Sequence, residues 1–109
     1  MRILLDEGVP AQVRLALPGH EVFTVQLQGL SGLSNGDLLT AAEQAGFDCL
    51  IIADKNLRYQ QNLRNRKLAI LEWWTNHRPT LEKYCPRIQI AVANITSGEY
   101  RVLEKPRSR

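Results

Sequence analysis

Apolar positions along this chain fall into short continuous runs separated by turn residues and by stretches with helical spacing. Ile3-Leu4-Leu5, closed by Asp6-Glu7, predicts a first strand over residues 2–5. Pro10 suits a first helical position, and Val9, Val13, Ala16 and Leu17 recur with helical spacing until Pro18-Gly19 ends the helix. Residues 21–25 are rich in β-branched and aromatic side chains and predict a second strand. A glycine-marked loop follows. Ser34 has the place of an N-cap, and Leu38, Ala41, Ala42 and Ala45 give an apolar helix face up to Gly46. Cys49 to Ala53 is apolar at every position, as a central parallel strand buried on both faces should be.

Residues 56–63 predict a short helix and residues 68–71 a fourth strand. Thr80 is placed to cap a helix with apolar face Tyr84, Ile88, Ala91, Val92 and Ile95, which Pro86 must kink or split. Thr96-Ser97-Gly98 stops it, and residues 99–104 alternate as a final edge strand. Strands alternating with helices imply right-handed crossovers and an α/β fold: a three-layer α/β/α sandwich with a mostly parallel sheet. In such sheets ligands bind at the carboxyl ends of the strands.

At 109 residues the chain holds one core, read as a single domain over residues 1–104 with a basic tail at 105–109. A composition of 44% hydrophobic and 23% charged residues excludes a disordered chain. The longest apolar run, residues 49–53, is far short of the roughly 20 residues of a membrane span. No basic region followed by a long apolar stretch precedes the first strand, so a cytoplasmic protein is the expectation. Cys49 and Cys85 are too few for a disulfide scaffold and are both read as buried thiols.

The net charge of +3 hides a division: residues 1–54 sum to −5 and residues 55–109 to +8. Lys55, Arg58, Arg64, Arg66 and Lys67 follow one another with no acid between. An acidic half beside a basic one fits a cation site next to an anion site, or two sets of surface pairs that neutralise each other.

The carboxylates fall where the fold would use them. Asp6 closes the first strand, Asp54 the third, and Asp37 lies in the first turn of the helix preceding the third strand. Hard oxygen donors of this kind suit Mg²⁺ or Mn²⁺, which relieve their mutual repulsion and assist phosphodiester hydrolysis. Each acid also has a plainer reading. Asp6 can accept amide hydrogen bonds of the following turn. Asp37 completes a capping-box spacing with Ser34, which on the residues alone outranks catalysis. Asp54, ending an apolar five-residue run, has the fewest structural reasons to be there. Glu7 is read as a supporting group behind the ligands.

After Asp54 come bases, carboxamides and one aromatic: Lys55, Asn56, Arg58, Tyr59, Gln60, Gln61 and Asn62. Such groups hold phosphates and sugar hydroxyls, and Tyr59 could stack on a base. The alternative is a solvated helix with Leu57 and Leu63 buried. Of Trp73-Trp74, adjacent on a strand and so facing opposite ways, one is read as core and the other as a stacking platform or, in preference, a subunit contact. That Trp and the apolar C-terminal helix together make a homodimer the expectation. His20 and His77 are read as surface histidines.

The stretches Ile3-Leu4-Leu5-Asp6-Glu7, Asn35-Gly36-Asp37-Leu38-Leu39, Ala53-Asp54-Lys55-Asn56-Leu57 and Gln60-Gln61-Asn62-Leu63 resemble a small bacterial branch of the PIN-like domain family, related to the VapC-like toxin nucleases. The likeness covers residues 1–72 in motifs and the remainder in layout. It implies a PIN-like α/β/α fold and a metal-dependent ribonuclease, the toxin of a toxin–antitoxin pair. Asp6, Asp37 and Asp54 would be the catalytic ligands of Mg²⁺ or Mn²⁺. Lys55, Arg58, Tyr59, Gln61 and Arg64 would engage RNA, and a cognate antitoxin is the implied protein partner. Where such nucleases commonly carry a fourth acid, this chain has neutral Asn56, read with Glu7 as a supporting group. Two other readings stay open. Asp6-Glu7, Asp54 and Lys105-Pro106 also suit a receiver-like phosphoacceptor domain, although its first helix would be short. A PIN-like module that binds RNA or protein without turnover would have the same layout.

Overall fold

The computed structural model describes residues 1–53, 66–75 and 77–105, with Asn35 described by its backbone alone. Within these residues five strands, β1 (Arg2–Leu5), β2 (Glu21–Thr24), β3 (Cys49–Ile52), β4 (Ala69–Glu72) and β5 (Tyr100–Val102), form one sheet. The order is β2-β1-β3-β4-β5, and every neighbouring pair is parallel. The expected α/β fold is therefore present, with a sheet that is wholly parallel among the described strands.

Strand alternation divides the core in two. Ile3, Leu5, Cys49, Ile51, Ala69 and Leu71 share one face with Val13, Leu17, Leu81, Ile88, Ala91 and Val92. Leu4, Leu50, Ile52 and Ile70 share the other with Val25, Leu38, Leu39, Ala42 and Phe47. The helical partners of the first face are a short 3₁₀ helix (Ala11–Ala16), α2 (Arg78–Lys83) and α3 (Cys85–Asn94). The partner of the second is α1 (Asn35–Gln44). β3 and β4 are buried at every position because both faces are covered, which explains their unbroken apolar runs.

Several elements depart from the sequence expectations. The helix after Pro10 is 3₁₀, and Pro10 precedes it in extended geometry (ψ 136°) rather than occupying its first position. The six residues between Pro10 and Leu17 form a short piece of the kind in which 3₁₀ geometry is frequent. Ser34 caps α1 as expected, its Oγ accepting the Asp37 amide at 3.3 Å. Thr80 is not a cap: α2 begins at Arg78 with Pro79 in its first turn, and Thr80 Oγ1 instead shares a 2.8 Å hydrogen bond with His77 Nδ1.

Pro86 splits the C-terminal helix outright. Tyr84 (φ −106°, ψ 15°) is the break, and the proline lies in the first turn of α3, where a missing N–H costs nothing. β4 is shifted by one residue and takes in Glu72. β5 is a parallel edge strand of three residues, shorter than the run 99–104. Its entry is the turn at Gly98 (φ +77°), whose N–H donates to the Lys67 carbonyl at 2.9 Å.

Candidate functional site

In a doubly wound sheet the ligand crevice opens where successive connections leave in opposite directions. Here that point lies between β1 and β3: the chain leaves β1 toward β2 on one side, and β3 pairs with β1 on the other. The segments beyond these two strands stay together. The Asp6 amide donates to the Ile51 carbonyl at 3.0 Å, and a Cβ built on Gly8 would lie 3.9 Å from the Ala53 Cβ. β4 ends beside them, the Trp73 amide donating to the Ile52 carbonyl at 2.7 Å.

Asp6 is half-buried at this crevice, and its carbonyl accepts the Val9 amide at 3.0 Å, closing the turn that follows β1. Because α1 runs from the carboxyl end of β2 back to the amino end of β3, its first turn stands at the same edge. Asp37 is exposed there. Glu7 has a structural duty: its Oε1 accepts the Gly32 amide at 3.0 Å and so ties the loop before α1 to the turn after β1. In the sequence Asp54 follows the last residue of β3 by two positions. Asp54 itself, the expected helix over 56–63 and the RNA-facing candidates Lys55, Asn56, Arg58, Tyr59, Gln61 and Arg64 lie outside the described residues, as do residues 106–109 of the tail. Among the described residues no group of three or more His, Cys, Asp or Glu side chains is close enough to hold a metal ion.

The structure adds a carboxyl group that the sequence reading passed over. Glu72, the last residue of β4, is 1% exposed and accepts a 2.6 Å hydrogen bond from the Tyr100 hydroxyl of β5. It shares the α1 face with Ile70 and stands in register with Ile52 of β3. A signal was present: Ala69-Ile70-Leu71-Glu72 repeats the pattern of Ile51-Ile52-Ala53-Asp54, an apolar run ended by an acid.

The tryptophans correct another expectation. Trp73 and Trp74 do not face opposite ways, because both lie beyond the end of β4 where alternation no longer binds them. Their rings stack at 4.3 Å with 21° between planes. Trp73 is fully buried, and among the described residues its Nε1 has no hydrogen-bond partner. Trp74 is half-buried, edge-on to Tyr84 at 5.3 Å, with the Arg87 guanidinium 5.1 Å from its centroid. Its ring packs within its own chain.

The thiols differ from one another. Burial, reinforced by Asp48, pushes the Cys49 thiol up to about 12. Cys85, expected to be buried, is half-buried at the start of α3, where its Sγ donates to the Leu81 carbonyl at 3.1 Å. Desolvation and then Glu82 raise its pKa. In the basic run, Arg66 Nη1 pairs with Glu43 Oε1 of α1 at 3.0 Å, one neutralising contact between the acidic and basic halves.

No family model, curated protein or solved structure matches the chain. Among the described residues no helix is long and apolar enough to cross a membrane.

Proposed function

We propose that this chain is a PIN-like metal-dependent ribonuclease, a three-layer α/β/α sandwich whose acidic crevice cleaves RNA as the toxin of a toxin–antitoxin pair. One observation carries the reading. The strand order opens its crevice between β1 and β3, the two strands whose sequences run on into Asp6 and Asp54. Asp37 stands at the same edge on α1, so the acids come from three distant parts of the chain.

The donors present are all hard carboxylate oxygens, the chemistry that Mg²⁺ or Mn²⁺ requires. Asp6, Asp37 and Asp54 would hold the ion, which when bound supplies Lewis-acid assistance to phosphodiester hydrolysis. Glu7 steadies the loop between the first two acids through the Gly32 amide. Lys55, Arg58 and Arg64 neutralise the RNA backbone, Tyr59 stacks on a base, and Asn56 and Gln61 bond sugar or phosphate oxygens. The protein partner of this reading is a cognate antitoxin.

Incubation of the full chain with single-stranded RNA and Mn²⁺ tests the proposal. Cleavage that chelation stops and that Asp6→Asn and Asp54→Asn each abolish is the expected result. Cleavage unchanged in Asp54→Asn refutes the catalytic assignment, and tight Mg²⁺-independent RNA binding without cleavage marks a binding module instead. One feature favours a second reading: the order β2-β1-β3-β4-β5 is that of flavodoxin-like folds, receiver domains among them. Stable phosphorylation of Asp54 by acetyl phosphate, lost in Asp54→Asn, would establish the receiver reading over the nuclease.

A further inference from the structure

Far from the acidic crevice along the sheet order, β5 closes the sheet with β4 on one side and, among the described residues, no strand on the other. The Ile70 amide donates to the Glu99 carbonyl and the Leu103 amide to the Glu72 carbonyl, both at 2.8 Å. Main-chain groups alternate in direction along a strand, so residues 99, 101 and 103 face β4 and the N–H and C=O of Val102 face outward. Beside this edge, between β5 and α3, runs a groove of about 210 Å³ lined by Arg87, Ile90, Ala91, Arg101 and Leu103.

Its apolar part is unusually open: Ile90 is 64% exposed. Its polar part is cationic. Arg87 donates one N–H to the Glu104 carbonyl at 2.9 Å and lies over Trp74, and Arg101 Nε meets Glu99 Oε2 at 2.6 Å. A guanidinium carries five N–H donors in a fixed fork, so both arginines retain donors beyond these contacts.

We propose that this groove docks an extended acidic segment of a partner protein. The segment adds a strand to β5 through Val102, lays an apolar side chain against Ile90, Ala91 and Leu103, and turns carboxylates toward Arg87 and Arg101. Charge favours this occupant: among the described residues two arginines and no carboxylate line the groove. RNA would satisfy the arginines but leave the apolar floor without a partner. The inference does not depend on the nuclease reading, since no residue of the acidic crevice takes part.

NMR titration of the ¹⁵N-labelled full chain with the capped peptide Thr-Glu-Thr-Leu-Thr-Glu, whose glutamates and leucine share one strand face, tests it. Saturable shifts confined to Ile90, Ala91, Val102, Leu103 and their neighbours are expected, with none from the peptide bearing lysine in place of glutamate. Arg101→Glu should weaken binding about tenfold or more, equivalent to ~1.4 kcal/mol. Because that variant also loses the contact with Glu99, Ile90→Glu serves as a second: an exposed position where a new carboxylate repels the peptide without disturbing the core. Absence of saturable shifts, or an equal response to the lysine peptide, overturns the proposal. So does a response at these residues to poly(U) RNA but not to the peptide, or a concentration-dependent dimer of the free chain that covers Val102 and Ile90.

Discussion

Replacing Gly98 by alanine should be among the costliest single-methyl additions in this protein. The residue has φ +77°, and a Cβ built on it lies 2.7 Å from the Arg66 carbonyl oxygen, inside any tolerable contact. The approach cannot simply widen, because the Gly98 amide donates to the adjacent Lys67 carbonyl at 2.9 Å and the Ser97 hydroxyl donates to the same oxygen at 2.9 Å. The left-handed backbone costs an L-residue roughly 1–2 kcal/mol. Forcing a methyl against a fixed backbone oxygen adds about 1–3 kcal/mol. The sum, roughly 2–5 kcal/mol, is a large share of the ~5–15 kcal/mol by which a domain is stable. Gly19 supplies the control: φ +86° and nothing within 4 Å of its virtual Cβ. Gly19→Ala therefore carries the backbone cost alone, roughly 1–2 kcal/mol. Both variants alter the unfolded chain alike, so their difference isolates the clash. Urea titration followed by far-UV circular dichroism measures it, provided the two slopes agree. Equal losses in the two variants would refute the argument that the turn at 96–98 is pinned against the segment entering β4.

Two further outcomes follow from buried polar groups. Tyr100→Phe removes the 2.6 Å hydrogen bond to the buried Glu72 carboxyl and should cost ~1–3 kcal/mol in chemical denaturation, whereas a neutral variant would mean the phenol does not hold that side chain. Cys49 keeps its proton to about 12 when folded, whereas its unfolded thiol ionises near 9.0. Its contribution is thus whole below pH 9 and falls by up to about 1.4 kcal/mol per pH unit as pH rises from there toward the folded value. Cys49→Ala should flatten that alkaline slope in equilibrium unfolding, and an unaltered slope would rule the thiol out as its source.

The covered strands were the most legible part of the fold. Cys49 to Ile52 and Ala69 to Leu71 are apolar without alternation, and only burial on both faces of a parallel sheet makes that pattern favourable. The cap at Ser34 and the break forced by Pro86 were equally plain, because each rests on chemistry within a single turn. The 3₁₀ helix was less plain: apolar spacing over six residues does not distinguish it from α. Thr80 misled because its hydroxyl had a nearer alternative in His77. The tryptophan pair misled because alternation was carried past the end of β4.

For the candidate site, sequence located acids at the ends of strands, since a carboxylate terminating an apolar run is a local pattern. It missed Glu72, whose burial depends on Tyr100 arriving from β5, 28 residues away. What the sequence by itself determined was which segments are strands, which faces are apolar, and that acids gather in the first half and bases in the second. Tertiary structure alone decided that β1 lies beside β3 with β2 outside it, so that Asp6 flanks a crevice, and that β5 stands at the edge of the sheet among the described residues. The reason is physical. Secondary structure and caps follow from contacts within a few residues, whereas strand order follows from which long-range pairing buries the most apolar surface, and that pairing leaves no mark at any one position.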